Sequence, residues 1–130
     1  MPHLFASSAY IERGMYAEAI AEARRARELA PVLTIATAFG NYALAKSAKQ
    51  AEARAELESL LKLSTTRFVP PSHIALIYNG LGERNETLAW LERGFQQRDP
   101  KMAFLKVEPK WNNLRSDSRF IEIIKRMNLE

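Results

Sequence analysis

The stretch Gly14–Ala26, GMYAEAIAEARRA, decides how the chain is read, because it has two counterparts downstream. AKQAEARAELESL begins at Ala48 and GERNETLAWLERG at Gly82, each 34 residues after the last and without a gap. Glu18, Glu52 and Glu86 fall together, as do Ala19, Ala53 and Thr87, and then Ala23, Leu57 and Leu91. Upstream, Tyr10, Leu44 and Tyr78 keep the same interval. This is a 34-residue repeat seen three times, and a period of that length belongs to repeat architectures.

Each unit has the content of a helical hairpin. In the second half the small or apolar positions return at helical spacing, as at Leu88, Leu91 and Phe95, with charged residues on the other face. Gly14 and Gly82 stand where the first helix must end and the chain turn, a place that favours the left-handed conformation glycine adopts freely. Ala48 holds that place in the middle unit, where an L-residue is penalised, so the turn KSAKQ is expected to be shifted or one residue longer. Pro31 and Pro100 are expected to close the second helices of the first and third units. Asn79-Gly80 has no alternating strand beside it and reads as a helix end. Ala19 and Ala53 should lie where paired helices cross, since a larger side chain there overpacks by roughly 1–3 kcal/mol. Gly94 gives up about 1 kcal/mol against alanine inside a helix, which implies a close cover, expected from Met102 onward.

An aromatic late in the first helix, glycine at the turn, Glu-Ala opening the second helix and proline at its end resemble the tetratricopeptide repeat. The residues that carry this are Tyr10, Gly14, Tyr16, Glu18, Ala19, Ala26 and Pro31, then Tyr78, Gly82, Glu86, Leu91 and Pro100. In the middle unit Phe39-Gly40 looks like the family's large-small pair but sits one residue off the ungapped register, which leaves the inward face of residues 34–46 open. The resemblance implies a single all-α domain: three hairpins (about 1–33, 34–67 and 68–100) in a right-handed superhelix, an αα solenoid, with a capping segment at 101–130. Residues 68–129 are also similar to the C-terminal end of many bacterial tetratricopeptide proteins, in which the last repeat leads into an LKVDP-like segment, here Leu105–Pro109, and a terminal helix. Departures are Trp111 for phenylalanine, Ser118 for proline, and Thr87 and Gly94 for alanine. In that group the repeats often follow an effector domain.

In such a superhelix the concave face, lined by first helices, accommodates a peptide or partner helix. By matched position its lining is Leu4, Ser8, Ala38, Tyr42, Ser72, Leu76 and Asn79, with Asn41 and Lys46 nearby if the middle register slips. The lysine and asparagine pattern with which some family members clamp a terminal carboxylate is missing from this set. The expected function is therefore a protein–protein interaction module or scaffold. The alternative is a sensory or oligomerising C-terminal domain of a DNA-binding transcriptional regulator.

Composition agrees with one ordinary globular domain: 130 residues, 47% hydrophobic and 26% charged, no cysteine. A chain of this length buries roughly two thirds of the surface its unfolded form exposes. No apolar run approaches the ~20 residues of a membrane helix, the N-terminus does not read as a signal peptide, and the expected location is cytoplasmic. The net charge of +4 is spread among acids, so nucleic-acid binding is not expected. The arginines of ARRAR, 23–27, are expected to pair with Glu18, Glu22 and Glu28 along their own helix. Catalysis is not expected, nor a metal or other cofactor: His3 and His73 stand far apart without ligands at metal spacing, and no phosphate-binding or nucleophile motif occurs. His73, just after Pro70-Pro71, reads as a surface or capping residue.

In VEPKWNNLRSDSRF, 107–120, Pro109 breaks a preceding short helix, Trp111 and Leu114 are apolar anchors, and Asp117 or Ser116 caps a last helix. That helix places Phe120, Ile123, Ile124 and Met127 on one side, with Glu122, Lys125 and Arg126 outside, and should seal the last repeat. At the other end, Met1–Arg13 makes most of a helix with no polar cap. The expectation is a piece of a larger protein, or a homodimer through this end with Leu4 and Phe5 near the contact.

Overall fold

Helix boundaries recur at the interval of the sequence. The computed structural model describes residues 2–30, 34–99, 102, 105 and 107–127. Among these residues there are eight helices and no strand. They are α1 (Pro2–Glu12), α2 (Tyr16–Leu29), α3 (Ile35–Lys46), α4 (Gln50–Leu63), α5 (Pro71–Gly80), α6 (Arg84–Gln96), a 3-10 helix (Pro109–Leu114) and α7 (Ser118–Arg126). The ends of α1, α3 and α5 stand 34 residues apart, and so do the starts of α2, α4, α6 and α7. Pro31 and Pro100 lie outside the described residues; α2 ends at Leu29 and α6 at Gln96.

The turn after each first helix is the same object three times over. The Met15 amide donates to the Tyr10 carbonyl at 2.8 Å, Lys49 to Leu44 at 3.0 Å and Glu83 to Tyr78 at 3.1 Å. Each bond reaches back five residues over one residue in the left-handed region: Gly14 at φ +73°, Ala48 at +69° and Gly82 at +77°. This corrects the expected shift at KSAKQ. An alanine in this conformation costs roughly 1–2 kcal/mol, but moving the turn would break the bond and slide every apolar residue of the following helix out of register. The middle unit therefore keeps the ungapped register, and Leu44 stays matched to Tyr10 and Tyr78.

Helices pack on their neighbours. α1 lies on α2, α2 on α3, α3 on both α4 and α5, α5 on α6, and α6 on α7, with further contact between α1 and α3 and between α4 and α5. Ala19, Ala26 and Ala53 are fully buried at positions where the sequence keeps side chains small. A Cβ on Gly80 would stand 3.1 Å from the Tyr42 ring and carbonyl and 3.2 Å from Ala45 Cβ, so α5 and α3 touch through that glycine. Gly94 is covered as expected: an added Cβ would meet Met102 Sδ at 2.7 Å.

The C-terminal elements close the core with Met102, Leu105, Trp111, Leu114, Phe120 and Ile123, all buried. Pro109 opens the 3-10 helix at its first turn; the short helix expected before it falls largely outside the described residues. Asp117 caps α7, its carboxylate accepting from the Arg119 amide at 2.8 Å. That bond leads the causes that hold the Asp117 carboxyl below its ordinary range. Arginines join successive second helices along the outer face. Arg27 pairs with Glu56 at 3.1 Å, Arg54 with Glu83 at 2.6 Å, Arg84 with Asp117 at 3.4 Å, and Arg126 with Glu92. Of the pairs expected within ARRAR's own helix, Arg25–Glu22 is present at 3.9 Å, while Arg24 and Arg27 turn to Glu52 and Glu56 of α4. An arginine is long enough to reach the next helix, where a carboxylate waits one repeat on.

Candidate partner-binding groove

Helices α1, α3 and α5 each contribute equivalent residues to one face. Leu4, Ala38 and Ser72 share a repeat position, as do Phe5, Phe39 and His73, and Ser8, Tyr42 and Leu76. Toward the N-terminal ends of these helices the face encloses a cavity of about 390 Å³. Its walls are Leu4, Phe5 and Ser8 from α1, Ile35 and Phe39 from α3, and Ser72, His73 and Leu76 from α5, closed on one side by Glu108, Lys110 and Trp111. Apolar surface dominates, and the aromatic ring of Phe5, 75% exposed, stands at the rim.

Toward the other end of the same helices the chain covers the face with its own C-terminal segment, residues 108–114, which acts as a strap. Lys110 has no exposed side-chain surface. Its ammonium donates to Ser8 Oγ at 2.8 Å, to Glu12 Oε2 at 2.7 Å and to Glu108 Oε1 at 3.1 Å, and it stands 4.6 Å from the centre of the Phe39 ring. Asn79 donates to the Lys110 carbonyl at 2.8 Å and to Asn113 Oδ1 at 3.1 Å, while Asn113 donates back to Asn79 Oδ1 at 2.8 Å. Arg115 braces the strap from behind, donating to the carbonyls of Leu105 at 3.1 Å and Glu108 at 2.9 Å.

The residues expected to line a groove therefore divide. Leu4, Ser8, Ser72 and Leu76 meet around the cavity. Ala38, Asn41 and Tyr42 are buried in the packing of α3, and Asn79 is taken up by the strap. Lys46 is exposed at the end of α3, 6.0 Å from the Tyr42 ring. Burial, followed by the charge of Glu12, pushes the Tyr42 hydroxyl up to about 12. His73 is not a surface residue: it is buried, with Nδ1 2.5 Å from Thr34 Oγ1. The turn Val69–Pro71 directs α5 inward from its first residue, and Pro71, Ser72 and His73 are all covered.

Buried polar capacity remains in α5 and α3. The Ser72 amide donates to Asp99 Oδ2 at 2.8 Å, but its buried hydroxyl has no partner among the described residues. The fully buried Asn41 amide likewise lacks partners among the described residues on both its nitrogen and oxygen. Two other depressions, about 520 Å³ beside α6 and α7 and about 450 Å³ beside α2 and α4, have the Arg126–Glu92 and Arg27–Glu56 ion pairs among their lining residues. Among the described residues no cluster of three or more His, Cys, Asp or Glu could hold a metal, and no helix is long and apolar enough to cross a membrane. Phe5, Ile35, Phe39, His73, Glu108, Lys110 and Trp111 of the cavity, with Asn113 of the strap, were missed by matching repeat positions. For Asn113 there was a signal, since it follows Asn79 at the repeat interval.

No protein-family model, curated protein or solved structure matches the chain.

Proposed function

We propose that this chain is a helical-repeat interaction module of the tetratricopeptide type, with α1, α3 and α5 presenting a concave face to a peptide or partner helix. The observation that carries this is the cavity in which Leu4 and Ser8 of α1 meet Ser72 and Leu76 of α5, two repeats on, around about 390 Å³ of mostly apolar space. The 34-residue recurrence of turns and helix starts supports the repeat reading. On this reading the strap and α7 form the cap that ends the stack, and the module serves as an adaptor or as the interaction part of a longer protein.

The test uses the rim, because Tyr42 and Leu76 are buried and their loss would disturb the fold. Wild-type chain and a Leu4→Glu, Phe5→Ala variant are immobilised and exposed to soluble proteins of the source organism. The expected outcome is a discrete set of proteins retained by the wild type and lost by the variant, with unchanged circular dichroism and Tm. Equal retention by both would remove the groove from consideration.

A further inference from the structure

The cavity and its charged edge together specify an occupant. Resting on the reading that the concave face takes a peptide, we propose that the peptide is a basic one, in which an aromatic or branched apolar side chain lies next to lysine or arginine. The anchor follows from the walls: Leu4, Phe39, Leu76 and Trp111 offer apolar surface to one side chain. Ser72 lines the same cavity from α5 but is only 4% exposed and its hydroxyl is covered, so the apolar walls and not this hydroxyl hold the side chain.

The basic neighbour follows from the charge count at the edge. Lys110 is fully covered and bonded to both Glu12 and Glu108, so these three groups carry one negative charge in excess; of the two carboxylates Glu108 lines the cavity, and Glu12 lies next along α1. Those two carboxylate side chains remain 36% and 30% exposed, which leaves acceptor capacity facing solvent. A cationic residue entering beside them gains attraction and an acidic one is repelled. The strap is the precedent within the molecule. Its Lys110-Trp111 pair places an ammonium on Ser8 and Glu12, an indole in the cavity wall, and a backbone carbonyl on Asn79.

Three synthetic nonapeptides, otherwise serine and glycine, test this by amide chemical shifts and fluorescence anisotropy: tryptophan flanked by lysines, tryptophan flanked by glutamates, and alanine flanked by lysines. The lysine–tryptophan peptide should shift the amides of Leu4, Ser8, Ser72 and Leu76 and bind about tenfold tighter than either of the others. Glu108→Gln should reduce the lysine-over-glutamate preference about threefold. Equal affinity for the lysine and glutamate peptides, with shifts still in the cavity, overturns this inference and leaves the groove reading standing. Equal affinity for the tryptophan and alanine peptides overturns the anchor. Shifts elsewhere, or none with any of the three, overturn the groove reading itself.

Discussion

Ala48 and Gly82 occupy the same backbone conformation with different side chains, which makes them a matched experiment. Nothing lies within 4 Å of a Cβ added at Gly82, so the cost of alanine there is backbone strain alone. Gly82→Ala should lower stability by about 1 kcal/mol and Ala48→Gly should raise it by a similar amount, read from urea denaturation. Tyr42 gives a second expectation at this scale. Its hydroxyl is raised to about 12 in the folded chain, against an ordinary value of 10.0, mainly by burial. Between these values the unfolded chain releases the proton while the folded chain retains it. Stability should therefore fall as pH rises from about 10 toward 12, by up to roughly 1.4 kcal/mol per pH unit. Tyr42→Phe should lack that increment in denaturation curves taken across the range. Tyr78 is shifted the same way, so the difference between wild type and variant is the quantity to compare. The left-handed glycines were legible in the sequence because glycine marks such a turn. Ala48 was not, because a local penalty of this size is outweighed by the register of a whole helix.

At the scale of elements, the second helices and their turns were legible because a fixed interval repeats their small residues and caps. The strap was only half legible. Trp111 and Leu114 read correctly as anchors and are buried, so Trp111→Ala should cost roughly 3–5 kcal/mol in chemical denaturation. Lys110 could not be read, since a lysine is expected at the surface unless paired, and its partners Ser8 and Glu12 lie about a hundred residues upstream. His73 was misplaced for a related reason: a polar residue after two prolines suggests an exposed helix start, whereas the packing of α5 against α3 draws that start inside. The cap itself follows the interval, with Met15, Lys49, Glu83 and Asp117 preceding α2, α4, α6 and α7 at equal spacing.

Across the whole molecule, helices touch near neighbours, and the outer arginine pairs also link adjacent elements, each contributing about 0–1 kcal/mol. Lys110 is different in reach, tying the C-terminal strap directly to α1. Replacing it with methionine should weaken that tie by roughly 1–3 kcal/mol, since the two carboxylates left behind can rehydrate. Hydrogen exchange should then speed up in α1 by about tenfold or more while α6 is little changed. Equal acceleration in both helices would mean that the chain opens only as one unit. The same tie sets an order in time. Synthesis delivers α1 through α6 first, and the stretch from Gln96 to Leu114 follows about 1–4 s later at ~5–20 residues per second. Until residues 108–114 have been made and released, Lys110 cannot reach Ser8 and Glu12, so the bonds that tie the strap to α1 are among the last the chain can form.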